Sequence, residues 1–215
     1  MRRSRFALFT AMAVVLMTAS QADAQNLLGN PGFEDPVVDG PAPFDGRWQP
    51  FSGGGGAFSV GDGLMPRTGA GDLHLSITAS NNNFAGAFQD VVGLAPGQLV
   101  TFGGWHKSAS NPADYVTEFR IEWRDATSEV SRTPNLSPVA TVDYTQFSRL
   151  ETVPAGANTA RVVYAIQTFS DLGGGNTGDV FLDDMSFTRA IPEPATAALA
   201  GLAGVALVAM RRRRR

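Results

Sequence analysis

Short alternating segments bounded by turn residues are the feature that most limits how this chain can fold. In the clearest one, residues 115–125, apolar side chains share one face and charged side chains share the other. The apolar set is Tyr115, Phe119, Ile121 and Trp123, and the charged set is Glu118, Arg120, Glu122 and Arg124. Such a strand is half solvated, which is typical of antiparallel sheets. No segment between Gln25 and Ala190 has a convincing helical period, so the pattern predicts an all-β sandwich or barrel.

Further segments of the same character are separated by turns rich in Gly and Pro. They are residues 72–78, 99–107, 145–152, 160–168 and 179–188. In the last of these, alternation predicts that Phe181, Asp183, Met185 and Phe187 face inward. The glycine run at residues 53–56 is most simply a flexible loop, with part of a binding rim as the alternative.

The N-terminal end of the chain predicts export. Arg2, Arg3 and Arg5 form a basic region, and an apolar stretch follows at residues 6–17. Ala22, Asp23 and Ala24 then fit the small-x-small cleavage pattern of a secretory signal. We therefore predict a signal peptide at residues 1–24, cleaved between Ala24 and Gln25.

The C-terminal end has three parts in order: a Pro-Glu-Pro motif, an uncharged run at residues 195–210 and five arginines. As a helix, that run would be roughly 24 Å long, which is short for a hydrocarbon core of about 30 Å. We expect a short transmembrane helix whose basic flank stays cytoplasmic. An amphipathic surface helix and an arginine tail for nucleic acid are the alternatives.

This tail, with Pro192, Glu193 and Pro194 at its start, resembles the PEP-CTERM sorting signal of Gram-negative bacteria that make extracellular polysaccharide. The resemblance implies processing near the motif by an exosortase, a membrane-embedded cysteine transpeptidase-like enzyme. It also implies transient residence in the inner membrane, followed by the cell surface or extracellular space. Residues 191–215 would then be an address that lies outside the fold.

Charge and cysteine content exclude several classes of function. The chain has 17 basic and 20 acidic residues, but eight of the basic residues lie in the two ends. The segment 25–190 keeps nine basic and 18 acidic residues, a net charge of −9, which argues against nucleic acid as a ligand. The chain has no cysteine, so disulfides and thiolate metal sites are excluded.

Motifs at both ends of the segment 25–190 resemble the jelly-roll carbohydrate-binding-module and galactose-binding-like superfamily. Residues 26–34 read NLLGNPGFE and residues 180–187 read VFLDDMSF. Between them lie FAGAFQDV, LAPGQ and the segment that contains Trp105. The resemblance implies a single jelly-roll β-sandwich of two antiparallel sheets, with the first and last strands close together.

In that superfamily a calcium ion commonly ties the first strand to the last. The matching positions here are Glu34 and either Asp183 or Asp184, with Asp183 favoured by its predicted inward orientation. A carboxylate among core residues is costly unless paired, and Ca²⁺ accepts carboxylate and backbone oxygens. We therefore expect a structural Ca²⁺. The alternative is that these carboxylates accept hydrogen bonds from loop amides.

Sugar binding needs aromatic platforms beside hydrogen-bonding groups, because a pyranose has an apolar face and a polar edge. Trp105 alternates with Phe102 and need not be in the core, so it is the first candidate for a cleft. The further candidates are Trp48, Gln89 and Asn82. Trp123 shares a face with apolar neighbours and is expected in the core.

Catalysis has little support in the sequence. His74 and His106 lie in predicted strands without a ligand spacing or a triad context. The chain has no G-x-S-x-G elbow and no H-E-x-x-H motif. We therefore expect a non-enzymatic surface or extracellular-matrix protein that binds polysaccharide. A purely structural surface or biofilm protein is the first alternative, and a glycan-active enzyme is the second.

Overall fold

A computed structural model describes residues 24–53, 57–78, 81–169 and 176–189 of the chain. These residues form ten β-strands and one short 3-10 turn. The strands are β1 (Gln49–Ser52), β2 (Ala57–Gly61), β3 (Leu73–Ile77), β4 (Phe84–Val92), β5 (Leu99–Ser108), β6 (Val116–Arg124), β7 (Glu129–Arg132), β8 (Thr145–Thr152), β9 (Thr159–Gln167) and β10 (Gly178–Arg189). The 3-10 turn at Pro112–Asp114 connects β5 to β6.

The strands form two five-stranded sheets, and every pairing between these strands is antiparallel. Sheet 1 has the order β1-β4-β9-β6-β7, and sheet 2 has the order β2-β3-β10-β5-β8. The predicted all-β sandwich of two antiparallel sheets is therefore confirmed. Its alternating segments form strands because each buries one apolar face against the other sheet.

The core lies between the two sheets and is rich in aromatic side chains. Phe102 of sheet 2 and Phe119 of sheet 1 meet across it, with ring centroids 4.7 Å apart. Trp123 is 3% exposed and belongs to this core, as expected from its apolar neighbours. Burying one such side chain is worth about 1.5–3 kcal/mol, so the alternating pattern fixes which face of each strand points inward.

A β-bulge in β10 overturns part of the predicted inward face. The register against β5 shifts between Asp183 and Ser186, and Asp184 adopts a left-handed φ of 47°. The core residues of β10 are Val180, Leu182, Met185 and Phe187. The prediction was wrong for Phe181 and Asp183, which face outward, because the extra residue reverses the alternation partway along the strand.

The opening motif lies against the closing one. Asn26 forms a β-bridge with Thr188, and the Leu27 amide donates to the Phe187 carbonyl at 2.8 Å. The Met185 amide donates to the Pro31 carbonyl at 2.9 Å. The first motif and the last strand are thus close together, as the resemblance to the jelly-roll superfamily implied.

Residues 25–189 form one compact unit. Ala24 and Gln25, the predicted cleavage point, are the first described residues and are exposed. The rest of the predicted signal peptide, the C-terminal helix and the Pro-Glu-Pro motif lie outside the described residues. Within the described ranges, no helix is long and apolar enough to cross a membrane.

Candidate functional site

Two of the four predicted sugar-binding residues, Trp48 and Gln89, are buried and hold the N-terminal segment in place. Trp48 is 3% exposed, packs against Phe33 at 5.2 Å between ring centroids and donates from Nε1 to the Asn30 carbonyl. The Gln89 amide is fully buried and exchanges two hydrogen bonds, of 2.7 and 2.9 Å, with the backbone of Gly29. Neither side chain is accessible to a ligand in this conformation.

Trp105 and Asn82 lie in different parts of the molecule. Trp105 points away from buried Phe102, as alternation predicted, and lies half-buried on the outer face of sheet 2. The Arg67 guanidinium lies over its ring at 3.8 Å and covers one face of the indole. Asn82 is exposed in the turn before β4, with a φ of 53°. The four candidates therefore do not converge on one site.

A loop at residues 62–71, which we call the covering loop, lies over the outer face of sheet 2. Five of its backbone N–H groups donate to three carboxylates. Met65 donates to Asp72 (2.6 Å), Arg67 and Thr68 donate to Asp183 (2.8 and 2.9 Å), and Ala70 and Gly71 donate to Glu34 (3.0 and 3.3 Å). The covering loop is thus attached to the sandwich mainly through carboxylates.

Glu34 and Asp183, two of the three predicted calcium ligands, come together beside Gly32. Glu34 Oε1 and Asp183 Oδ1 lie 3.7 and 3.5 Å from the position that a Cβ on Gly32 would take. Among the described residues, no three Asp, Glu or His side chains could hold a metal by themselves. The pair fits Ca²⁺ if backbone or water oxygens complete the shell, and the loop amides equally fit the alternative of hydrogen bonding alone.

Asp184, the third predicted ligand, turns the other way at the bulge. Its carboxylate forms an ion pair with Arg67 and accepts a 2.8 Å hydrogen bond from the Thr68 hydroxyl. Burial raises the pKa of neighbouring Asp183 above its usual value, while the amides of Thr68, Asp184 and Arg67 oppose that shift. The bulge therefore gives two adjacent aspartates different surroundings.

His74 had no predicted site, but in the structure it contacts a cluster of carboxylates on the outer face of sheet 2. Its Nδ1 lies 2.8 Å from Asp62, its Nε2 contacts Asp179, and its ring stacks on Phe181 at 4.3 Å. Asp72 is fully buried, and its Oδ1 has no hydrogen-bond partner. Burial raises the pKa of Asp72 to about 6, with nearby Asp62 adding to the shift.

The outer face of sheet 1 carries four phenylalanine rings, which we call the aromatic row: Phe44, Phe51, Phe84 and Phe88. Phe88 contacts Phe44 at 5.0 Å and Phe51 at 6.2 Å, and Phe51 contacts Phe84 at 6.0 Å. Gly86 lies beneath Phe51, where a Cβ would come within 2.5 Å of the ring. Phe84 is 41% exposed, so the row presents apolar surface to solvent.

Ion-paired polar groups adjoin the aromatic row. Asp90 and Arg161 form a two-pronged pair at 2.8 and 2.9 Å, and the same guanidinium lies 4.1 Å from the Phe88 ring centroid. A bidentate pair of this kind holds the two side chains in a defined relative orientation. The strand β4 thus places an aromatic ring and an oriented polar pair side by side.

Strand β6 extends the polar part of this face. Arg120 pairs with both Glu118 and Glu122, and the Gln167 amide donates to Glu118. Strands β4, β6, β7 and β9 contribute four acidic and four basic residues to this outer face, so their charges balance within an acidic domain. They are Asp90, Glu118, Glu122, Glu129, Arg120, Arg124, Arg132 and Arg161.

The sequence identified the charged face of β6 but did not connect it with the phenylalanines. A usable signal was present in β4, whose residues 84–90 read FAGAFQD. The small residues Ala85 and Ala87 face the core, while Phe84 and Phe88 alternate outward with Asp90. Placing Phe51 beside them required the register between β1 and β4, which pairs Phe51 with Gly86. Placing Phe44 required its backbone contact with Asp90.

The tail of the chain has a defined match. Residues 190–215 match the family model described as the PEP-CTERM protein-sorting motif. This chain carries a PEP-CTERM sorting motif. The match spans the motif, the apolar run and the arginines, and it confirms the resemblance predicted from the sequence. The motif implies export and sorting to the cell surface. No curated protein matches this chain.

Solved structures resemble the sandwich at low sequence identity. The CBM22-1 xylan-binding domain of Paenibacillus barcinonensis Xyn10C aligns with a TM-score of 0.53 and 15% identity, over 79% of this chain and 97% of that chain. The module TmCBM61, solved with beta-1,4-galactotriose, aligns with a TM-score of 0.51 and 14% identity, over 78% and 100%. These likenesses establish a β-sandwich fold shared with carbohydrate-binding modules.

An enzyme is also among the similar structures. The enzymatically active domain of bacteriophage CBA120 tailspike protein 4 aligns with a TM-score of 0.59 and 16% identity, over 77% of this chain. This chain spans only 21% of that protein. The shared part is therefore a fold and carries no activity to this chain.

Proposed function

We propose that this exported protein binds polysaccharide without cleaving it, across the outer face of sheet 1. The observation that carries the proposal is the aromatic row lying beside the Asp90–Arg161 pair on one open face. Aromatic rings can cover the apolar face of a pyranose, and the gain is the apolar area removed from water. Similar carbohydrate-binding modules support the same class of ligand.

The polar groups of this face suit a ligand rich in hydroxyls. A sugar hydroxyl both donates and accepts, so it needs acceptors and donors at fixed positions. Asp90, Arg161, Arg120 and Glu118 are already held in ion pairs, which limits the ordering that binding would require. The balance of charge on the face favours neutral glycans over strongly anionic ones.

The ion pairing of the carboxylates on this face favours binding over catalysis. Asp90, Glu118 and Glu122 each form an ion pair with an arginine, so none of them is left free to act as a general acid or base on a bound glycan. Incubating the protein with its glycan and measuring released reducing ends tests this point. Steady release that depends on Glu118 or Glu122 would replace the binding proposal with a glycan-active enzyme.

The binding proposal is tested by removing one ring of the aromatic row. Phe88→Ala should weaken binding to extracellular polysaccharide about five- to a hundredfold, since a lost aromatic contact is worth about 1–3 kcal/mol. Phe84→Ala, at a more exposed position, should act in the same direction with less risk to the fold. Leu150→Ala is the matched control, because Leu150 is 62% exposed on the outer face of sheet 2.

Melting curves for each variant separate a lost contact from a lost fold. Folded Phe88→Ala and Phe84→Ala variants that bind as tightly as the parent would remove this face from the site. A parent protein that binds no extracellular polysaccharide would instead favour the purely structural surface or biofilm role.

We also propose that an exosortase processes the tail after transient insertion into the inner membrane. The sorting-motif match supports processing by an exosortase. Glu193→Gln should leave a longer, membrane-held form in the producing bacterium, visible as a mass difference. Normal maturation of that variant would count against recognition through the Pro-Glu-Pro motif.

A structural Ca²⁺ between Glu34 and Asp183 completes the proposal. An ion that binds only the folded state stabilises it by mass action. Chelator should lower the melting temperature and excess Ca²⁺ should restore it, with a weaker response in Glu34→Gln and Asp183→Asn. Superimposable curves with and without chelator, on protein known to be metal-loaded at the start, would leave hydrogen bonding as the only role of these carboxylates.

A further inference from the structure

A groove opens at the edge of the sandwich where β1 and β2 lie side by side. It has a volume of about 460 Å³, within the range of small-molecule sites. Its lining residues are Asp39, Pro50, Phe51, Ser52, Phe58 and Ser59. We call it the edge groove. It receives one aromatic ring from each sheet, because Phe51 belongs to β1 and Phe58 belongs to β2.

Both rings are supported from behind. Phe58 is 42% exposed and stands edge-on to His74, with ring centroids 5.1 Å apart. Phe51 is half-buried and rests on Phe84 and Phe88 of the aromatic row. Rings that are already fixed lose little conformational freedom when a ligand contacts them, so their apolar surface is available at low cost.

The polar groups of the edge groove are mainly hydrogen-bond acceptors. The Ser59 hydroxyl donates to the Phe51 carbonyl at 3.0 Å and keeps its own oxygen free to accept. The exposed Asp39 carboxylate is oriented by the Gln49 amide. A carboxylate can accept two hydrogen bonds from adjacent hydroxyls, and it repels a second carboxylate. This set of groups fits a neutral sugar and disfavours a uronic acid.

The edge groove is continuous with the aromatic row through Phe51, which takes part in both. A glycan lying across the aromatic row and passing over β1 would meet the groove at the boundary of sheet 1. We infer that the edge groove binds a terminal neutral sugar of the glycan whose chain lies on the outer face of sheet 1. The inference rests on the proposed function and adds recognition of a chain end to it.

The test compares two forms of one probe, the purified extracellular polysaccharide of the producing bacterium. One form is intact, and the other is partly hydrolysed with acid so that the same mass carries many more chain ends. The full-length parent should bind the hydrolysed form more tightly per unit mass. Phe58→Ala and Asp39→Asn should bind the hydrolysed form about five- to tenfold more weakly, with less than a twofold change on the intact form.

Two further variants make the outcome decisive. Val60→Ala is the matched control, because Val60 is 36% exposed on the same strand as Phe58 but does not line the groove. Phe88→Ala should weaken binding to both forms. Suppose that Phe58→Ala and Asp39→Asn bind the hydrolysed form as tightly as the parent does, while Phe88→Ala binds it more weakly. The role inferred for the edge groove is then overturned, and the proposed function stands.

The remaining outcomes also decide the question. If Phe58→Ala weakens binding to both forms equally, the groove contacts the interior of the glycan chain. That result would overturn the recognition of chain ends. Unchanged binding in all of these variants, or no binding by the parent, would overturn the proposed function and this inference together.

Discussion

The outer faces of the two sheets both carry carboxylates on antiparallel strands, yet they satisfy them differently. On sheet 1 the carboxylates pair with arginine side chains on the same face, as Asp90 does with Arg161. On sheet 2 the fully buried carboxylates accept backbone N–H groups from the covering loop, as Asp183 does from Arg67 and Thr68, and only the more exposed ones have side-chain partners. Side-chain pairs leave a face open to a ligand, whereas backbone partners close it.

Because of this difference, we expect the fold to tolerate substitutions on the outer face of sheet 1 better than substitutions beneath the covering loop. A side chain that loses its partner on sheet 1 can turn toward water. A backbone amide under the covering loop has no such freedom, and an unsatisfied buried donor costs about 1–3 kcal/mol. We therefore expect changes on the outer face of sheet 1 to affect binding and changes beneath the covering loop of sheet 2 to affect stability.

The largest effect is expected from Asp183→Ala. Asp183 is fully buried and accepts from three backbone amides, those of Arg67, Thr68 and Asp184. Its loss should lower the free energy of unfolding by about 3 kcal/mol or more. Chemical denaturation in the presence of chelator measures this effect without any contribution from a bound metal.

The matched change on sheet 1 is Glu129→Ala. Glu129 is paired with Arg132 near solvent, and such pairs contribute about 0–1 kcal/mol. A loss as large as that of Asp183→Ala would break the comparison, because it would show that both faces depend equally on their carboxylates.

A second, smaller effect should depend on pH. Burial raises the pKa of Asp72 from 3.8 to about 6, so the folded protein holds a proton that the unfolded chain releases. That contribution to stability is fully present below pH 3.8 and is lost as the pH rises to about 6. Asp72→Asn removes the titration, so relative to the parent it should gain roughly 2–3 kcal/mol of stability between pH 3.8 and pH 8.

Glu129 should titrate in the opposite direction. The hydrogen bond from Arg132 lowers the pKa of Glu129 below its usual 4.5, so its contribution is present at neutral pH and is lost on acidification. At neutral pH, Glu129→Gln should therefore have a free energy of unfolding only a few tenths of a kcal/mol below that of the parent. This difference should disappear as the pH falls. Chemical denaturation of both variants at several pH values measures the two trends. Trends of the same sign would mean that the two faces do not differ in how they hold their carboxylates.

The strands with a strong alternating pattern could be predicted from the sequence. Residues 115–125 and 145–152 were placed within one residue of β6 and β8. The strands not predicted are β1, β2, β4 and β7. β4 is nine residues long and internal, but its sequence lacks the usual pattern because alanines face the core while phenylalanines face outward. β1, β2 and β7 are four or five residues long and lie at sheet edges. An edge strand pairs on one side only, so its sequence carries less of the hydrophobic pattern on which such predictions depend.

The candidate site was less predictable because it depends on register. The aromatic row combines the segment before β1 with β1 and β4, and no local pattern links Phe44 or Phe51 to Phe88. The outward position of Asp183 depends on the bulge at Asp184, a non-glycine residue with positive φ that sequence pattern does not mark. Trp105 lies outside the core, which its alternation with Phe102 allowed, but the covering loop above it was not foreseen.

The smallest expected effect on polysaccharide binding concerns Trp105, the first sugar-binding candidate from the sequence. Its indole is half-buried and one face lies against Arg67, an arrangement worth about 0.5–2 kcal/mol. If sheet 2 is the closed face, Trp105→Ala should cost about 1 kcal/mol of stability and leave polysaccharide binding within twofold of the parent.

Arg67→Ala sharpens this test, because it uncovers the indole while removing the ion pair with Asp184. Should the indole be a platform that Arg67 blocks, Arg67→Ala would bind polysaccharide more tightly, and Trp105→Ala in that background would reverse the gain. Titrating both variants and the double variant with one polysaccharide distinguishes the cases, with denaturation curves as the check on folding. Unchanged affinity across all three would leave the arginine–tryptophan contact as part of how the covering loop is held, and binding as a property of sheet 1.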